Sequence, residues 1–170
     1  MGVDEHRSYA PESLGYGLVT VSDTRALAED ESGDALVQLV EEASQRVIER
    51  RLVRDELALV REQVVALTGH DEVDVIVLTG GTGFSPRDLT VEAVAPLFQR
   101  PVEGFGELFR MLSFEEVGAA AMLSRATAGI VNRRLVFLLP GSRAAVRLAM
   151  TRLILPEAPH LLGQVRRPAG

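Results

Sequence analysis

The sequence predicts an α/β fold, a three-layer α/β/α arrangement around a doubly wound, mostly parallel sheet, and three observations carry that expectation. Two apolar runs, 75–78 and 135–139, are continuous rather than alternating, so each strand must be covered on both faces, as central parallel strands are. Both stop abruptly in a glycine turn, Thr79-Gly80-Gly81-Thr82-Gly83 after the first and Pro140-Gly141-Ser142 after the second. Strand-like and helix-like segments alternate over the first 80 residues, the pattern of successive β-α-β units with right-handed crossovers.

Residues 1–14 are polar, contain Pro11 and lack periodicity, so they read as a flexible arm ahead of one domain over 15–165. Residues 16–22 are β-branched and glycine-flanked, a first strand that ends at Asp23. Ser32 stands where it can cap a helix whose apolar positions Leu36, Leu39, Val40 and Ala43 recur at helical spacing. Residues 46–54 alternate imperfectly, a second strand nearer the sheet edge, and it ends at Asp55. Residues 56–67 carry Leu57, Val60, Val64 and Leu67 on one face with Gly69 beyond the end, a second helix. After the third strand and its glycine turn, Thr90 can cap a short helix, and residues 104–118 form a longer one with Phe105, Leu108, Phe109, Leu112 and Phe114 on its apolar side. Strands over 129–132 and 135–139 come next, and Ser142 caps a last helix bearing Val146, Ala149, Met150 and Leu153. The tail from Pro156 is proline-rich and reads as loosely packed. Four of the six phenylalanines fall between Phe98 and Phe114, which suits core packing or, alternatively, subunit contact.

Composition narrows the function. With 170 residues, 46% apolar and 25% charged, the chain is sized for one soluble domain. No apolar run reaches the roughly 18 to 20 residues that cross a bilayer, and the N-terminus lacks a basic-then-apolar leader, so a cytoplasmic protein is expected. There are no cysteines, and His6, His70 and His160 show no metal-ligand spacing. All 18 basic residues are arginine, which excludes a Walker-type phosphate lysine and a Schiff-base lysine. The net charge of −6 opposes nonspecific nucleic-acid binding. A nicotinamide-dinucleotide domain is disfavoured because the 79–83 loop lacks G-x-G-x-x-G spacing and comes after the third strand, not the first.

Ligands of doubly wound sheets bind beyond the carboxyl ends of the strands. By that layout Asp23, Asp55, the loop Thr79, Gly80, Gly81, Thr82, Gly83 with Asp88, and the turn Pro140, Gly141, Ser142 share one rim. Glycine backbone can converge N–H groups on a phosphate, and Thr79 and Thr82 add hydroxyls. The three aspartates would repel that phosphate unless a divalent cation lay between, so a Mg2+-nucleotide reaction fits the set. Arg87, Arg110, Arg125 and Arg143 are candidate phosphate clamps.

These motifs, extended by Arg87-Asp88-Leu89-Thr90-Val91-Glu92-Ala93, by Gly104-Phe105-Gly106-Glu107-Leu108-Phe109-Arg110 and by Ser124-Arg125-Ala126, make the chain resemble the MoaB/Mog family of molybdenum-cofactor biosynthesis proteins, and its MoaB branch more closely. The likeness runs from about Tyr16 to Leu155. It implies a molybdopterin-binding domain that transfers AMP from Mg-ATP to the phosphate of molybdopterin. It implies that Asp55 and Asp88 are the catalytic, metal-holding aspartates, and that the 79–83 loop, Ser113, Ser124 and the 140–142 turn line the pterin-phosphate side. It further implies a homohexamer or homotrimer. One departure stands out: many relatives carry a lysine two residues after the Pro-Gly-Ser turn, where this chain has Ala144. A molybdopterin-binding carrier of that branch without turnover is the alternative the resemblance leaves open.

Overall fold

The structure is a computed structural model that describes residues 13–24 and 26–167. Six strands, β1 (Gly15–Val21), β2 (Arg46–Val53), β3 (Val75–Thr79), β4 (Arg100–Pro101), β5 (Thr127–Val131) and β6 (Arg134–Leu139), form one sheet in the order β2-β1-β3-β6-β5-β4. β2, β1, β3 and β6 run parallel, while β5 is antiparallel to β6 and β4 to β5. The helices are α1 (Glu31–Glu42), α2 (Leu57–Thr68), α3 (Thr90–Val94), α4 (Glu103–Val117), α5 (Arg143–Ala149) and α6 (Leu155–Arg166).

Period-two geometry divides the central strand between two cores: Val75 and Val77 face one apolar cluster, Ile76 and Leu78 the other. The first cluster contains Leu36 and Leu39 of α1, Phe105 and Phe109 of α4, Val146 of α5 and Leu162 of α6. The second contains Val60, Val64 and Leu67 of α2 with Ala93 and Val94 of α3. Helices therefore cover both faces, the expected three layers, and the half-exposed β2 lies at the expected edge.

Several local expectations are corrected. Asp30, not Ser32, caps α1, accepting the Gly33 N–H at 2.9 Å. Asp30 is fully buried and also accepts from Thr20 Oγ1 and Arg50, so tertiary partners hold it at the cap position. Ser32 is buried inside the first turn and donates its hydroxyl to the Gly141 carbonyl at 2.7 Å. Ala43 lies exposed just past the end of α1. Leu108 and Phe114 of α4 are exposed, while Phe105, Phe109 and Leu112 are buried. The β5–β6 hairpin turns at Asn132 and Arg133, both at positive φ (47° and 61°), the conformation that tight hairpins need. Strand β4 has no counterpart among the expected elements; it has two residues and pairs only with β5.

The flexible arm expected over residues 1–14 lies, up to residue 12, outside the described residues; Leu14 is fully buried and its N–H is held by Gln45. The tail from Pro156 is not loose. A π-helical turn, Met150–Ile154, leads from α5 into α6, which contains Pro156 and buries Ala158 and Leu162. Pro156 follows the π-helical turn directly and Pro159 stands inside α6, so neither donates to the helical ladder, and burial of Ala158 and Leu162 keeps the segment helical. Leu162→Ala should cost about 2–5 kcal/mol in urea unfolding; a loss below about 0.5 kcal/mol, the range of a typical surface substitution, would show that α6 is not part of the core.

Candidate active site

The parallel register aligns Thr20 with Thr79 and Thr79 with Leu139, so the segments leaving β1, β3 and β6 emerge along one edge. Because β5 runs the other way, it starts at that same edge, Thr127 opposite Leu138, and brings the preceding Ser124 there. A pocket of about 520 Å³ opens between these ends. It is lined by Val21, Ser22 and Thr24 after β1, by the 79–83 loop and Asp88 after β3, by Ala120, Leu123 and Ser124, and by Pro140 and Gly141 after β6. Ser142 caps α5, accepting the Ala145 N–H at 3.1 Å, and lines an adjoining recess with Glu31, Ser32, Gly141 and Arg143. Of the expected site residues, Ser113 is buried in α4 and lines neither cavity. Asp55 lies behind the loop rather than in the pocket lining.

Two glycines are dictated by geometry. Gly80 (φ 99°) and Gly81 (φ 65°) take left-handed backbone, which side chains rarely adopt. A Cβ on Gly80 would collide with the Val21 carbonyl, and one on Gly81 with the Thr90 hydroxyl and the Asp55 carboxylate. The hydroxyls of Thr79 and Thr90 serve this scaffold, while Thr82 lines the pocket. Thr79 Oγ1 donates to the Pro140 carbonyl at 2.9 Å, and Thr79 is fully buried. Thr90, expected as a cap, instead donates to the Gly80 carbonyl at 2.8 Å.

The three aspartates are linked through backbone. The Asp55 N–H donates to Asp23 Oδ1 (3.0 Å), the Leu89 N–H to Asp55 Oδ1 (3.0 Å) and the Ser85 N–H to Asp88 Oδ2 (2.9 Å). Among the described residues no arginine forms an ion pair with any of the three, and Arg50, Arg125 and Arg143 pair with other carboxylates. Burial pushes the Asp55 carboxyl above its ordinary range, the Leu89 N–H opposes this, and the negative charges of Asp88, Asp23 and Glu92 reinforce it. No group of three His, Cys, Asp or Glu side chains among the described residues converges into a complete metal centre. Two oxygen-donor carboxylates fit a hard divalent cation whose remaining ligands are phosphate oxygens and water.

The candidate arginine clamps are mostly engaged within the protein. Arg125 donates to the carbonyls of Thr82 and Asp88 (both 3.2 Å), pairs with Glu92 and lies 5.3 Å over the Phe84 ring. Arg110 donates to the carbonyls of Ser124 (3.4 Å) and Ala126 (3.1 Å). Arg143 is exposed and faces Glu31 at 3.6 Å. Sequence reasoning missed Ser22, Thr24, Ala120 and Leu123 as pocket residues and Glu92 as a partner of Arg125. Only the strand-end position of Ser22 and Thr24 carried a signal for them.

Residues 17–160 match a family model described as a probable molybdopterin binding domain. The chain belongs to this family. Members similar to it include molybdenum cofactor biosynthesis protein B of Bacillus subtilis, 43% identical over 98% of this chain and 99% of that protein. Its counterpart in Bacillus cereus is 45% identical, with the same coverage of both. Among solved structures, a molybdenum cofactor biosynthesis protein B superposes with a TM-score of 0.90 at 44% identity, covering 94% of this chain and 99% of that one. The tungsten cofactor synthesizing protein MoaB from Pyrococcus furiosus superposes with a TM-score of 0.82 at 38% identity, covering 93% of this chain and all of that one. The molybdopterin-binding fold of this family is the one seen here.

Two outcomes test the site's geometry. Gly81→Ala should cost about 1–3 kcal/mol through strain at positive φ, whereas Gly104→Ala, where a Cβ meets nothing within 4 Å, should not destabilise. Asp55 binds its proton more tightly in the folded chain, so it removes stability as pH rises through the range between its unfolded and folded pKa values. Asp55→Asn should therefore raise the unfolding midpoint at neutral pH, with the gain vanishing as pH falls below the carboxylate range; a lower midpoint at neutral pH would contradict this electrostatic account.

Proposed function

We propose that this chain acts in molybdenum-cofactor biosynthesis by adenylylating molybdopterin with Mg-ATP. The observation that carries the reading is the opposition of Asp88 and the glycine loop to the 140–141 turn across one pocket, with the aspartates lacking any cationic side-chain partner among the described residues. An acidic rim against backbone donors suits a phosphate substrate that arrives with a divalent cation. The names of the relatives, molybdenum cofactor biosynthesis protein B, support the pathway.

In this reading a phosphate oxygen of molybdopterin attacks the α-phosphorus of ATP, the bond from that phosphorus to the bridging oxygen breaks, and pyrophosphate leaves. The glycine loop, Ser124 and the 140–142 turn bind the pterin phosphate and fix its approach, which such a reaction chiefly needs. Asp55 and Asp88 would hold Mg2+, which supplies charge neutralisation at the phosphates. Ser113, buried in α4, does not line the pocket. Exposed Arg143, loosely paired with Glu31, lines the adjoining recess and can serve there as the cation that Ala144 does not provide. A cytoplasmic site of action fits a chain in which no helix among the described residues is long and apolar enough to cross a membrane.

The exposed apolar side chains Leu108, Met111, Phe114 and Val117 of α4, with Met122 and Leu123 after it, support subunit contact in a trimer or hexamer. Light scattering should return the mass of three or six chains.

Incubation of the purified protein with molybdopterin, Mg2+ and ATP should yield adenylylated molybdopterin and pyrophosphate. Asp88→Asn should lower turnover by about 100-fold or more while molybdopterin affinity changes by no more than about threefold. Wild-type protein that binds molybdopterin yet yields no product would favour the alternative, a carrier of the same ligand, to which the Ala144 departure points.

A further inference from the structure

We infer that Arg125 is a positioning residue, a clasp that holds the 80–89 loop in its pocket-forming position, rather than a phosphate ligand. The inference rests on the proposed molybdopterin pocket and concerns how its most exposed wall stays in place. Residues 84–87 form an exposed tip of that loop, with Phe84 67% exposed. The tip's own hydrogen bonds, from the Ser85, Arg87 and Asp88 N–H groups, are local and do not tie it to the opposite wall.

Arg125 lies on the opposite wall, directly after Ser124, and reaches across. Its Nε–H donates to the Thr82 carbonyl and one terminal N–H to the Asp88 carbonyl, the two residues that bracket the tip. The fork also binds both carboxylate oxygens of Glu92 in the first turn of α3, and the guanidinium covers the Phe84 ring. One planar cation thus joins β5's approach, both ends of the loop and the adjoining helix. Isolated surface ion pairs contribute little, but a bidentate, partly buried network of this kind is the exception. With these donors engaged, Arg125 is poorly placed to bind a phosphate. Its geometric task is to hold Asp88 and the glycine loop at a fixed distance from Ser124. A lysine has the charge but not the fork, so it cannot satisfy the two carbonyls and the carboxylate together.

The test uses Arg125→Lys, Glu92→Gln and the double variant of the full chain, read by amide hydrogen exchange over residues 80–89 and by molybdopterin titration. A clasp predicts faster loop exchange in both single variants, unchanged exchange in β1 and β3, and about tenfold weaker molybdopterin binding in each, with the double variant no worse than either. A phosphate ligand predicts the opposite pattern: Arg125→Lys weakens binding while Glu92→Gln leaves it intact or strengthens it, and the loop exchanges as in wild type. That result overturns the inference, as does unchanged loop exchange in Arg125→Lys alone. Failure of the wild-type chain to bind molybdopterin would count against the proposed function, while the exchange data would still decide the clasp.

Discussion

At the carboxyl edge of the sheet, β3 and β6 end side by side and their outgoing chains pack backbone against backbone. A Cβ on Gly141 would stand 3.3 Å from the Gly80 Cα, and one on Gly80 would strike the carbonyl of Val21 on the next strand. The Gly80 N–H meets the Leu139 carbonyl at 3.0 Å, and the hydroxyls of Thr79 and Thr90 tie the same few residues to Pro140 and to Gly80. No side chain could be interposed without separating the strand ends. The pocket floor, the direction of the loop toward Asp88, and the attachment of α1 through Ser32 to Gly141 all take their positions from this contact.

The electrostatic organisation depends on the same contact. The loop turns back so that Asp55 and Asp88 are held by backbone N–H groups from Leu89 and Ser85, with no cationic side chain paired to them among the described residues. Burial raises the pKa of Asp55 despite its Leu89 N–H partner, and the neighbouring negative charges add to that rise. Two of the arginines that an abundance count would assign to phosphate, Arg110 and Arg125, are occupied within the protein. Arg125 and Arg110 hold main-chain carbonyls around the pocket wall, and Arg50 neutralises the buried Asp30 at 3.1 Å. That last pair shows why α1 starts where it does. A buried carboxylate needs several partners at once, and only Asp30 can reach Thr20, Gly33 and Arg50 together.

Legibility differs by kind of signal. Continuous apolar runs at 75–78 and 135–139 expose the central strands, and glycine clusters after them expose the junctions, because both depend on local sterics. The C-terminal helix reads as a loose tail because Pro156 and Pro159 suggest breakage, although the burial of Ala158 and Leu162 holds the segment helical around both. Ser32 and Thr90 look like caps by type and position, yet each hydroxyl is drawn to a carbonyl distant in sequence or across a turn. The direction of β5 is hidden because its hairpin turn is Asn132-Arg133 rather than a glycine-containing pair.

By itself, then, the sequence determined the layered α/β class, the edge on which a ligand site would form, and the family, since these rest on periodicity, glycine placement and ordered motifs. Only the tertiary structure decided how individual polar side chains are used. It turned Thr79 into a tie to Pro140, removed Ser113 from the pocket lining, and showed Arg125 clasping carbonyls and Glu92. The physical reason is that a hydrogen-bonding group takes the partner that folding brings within about 3 Å, and that partner is set by the packing of distant segments, which no local pattern encodes.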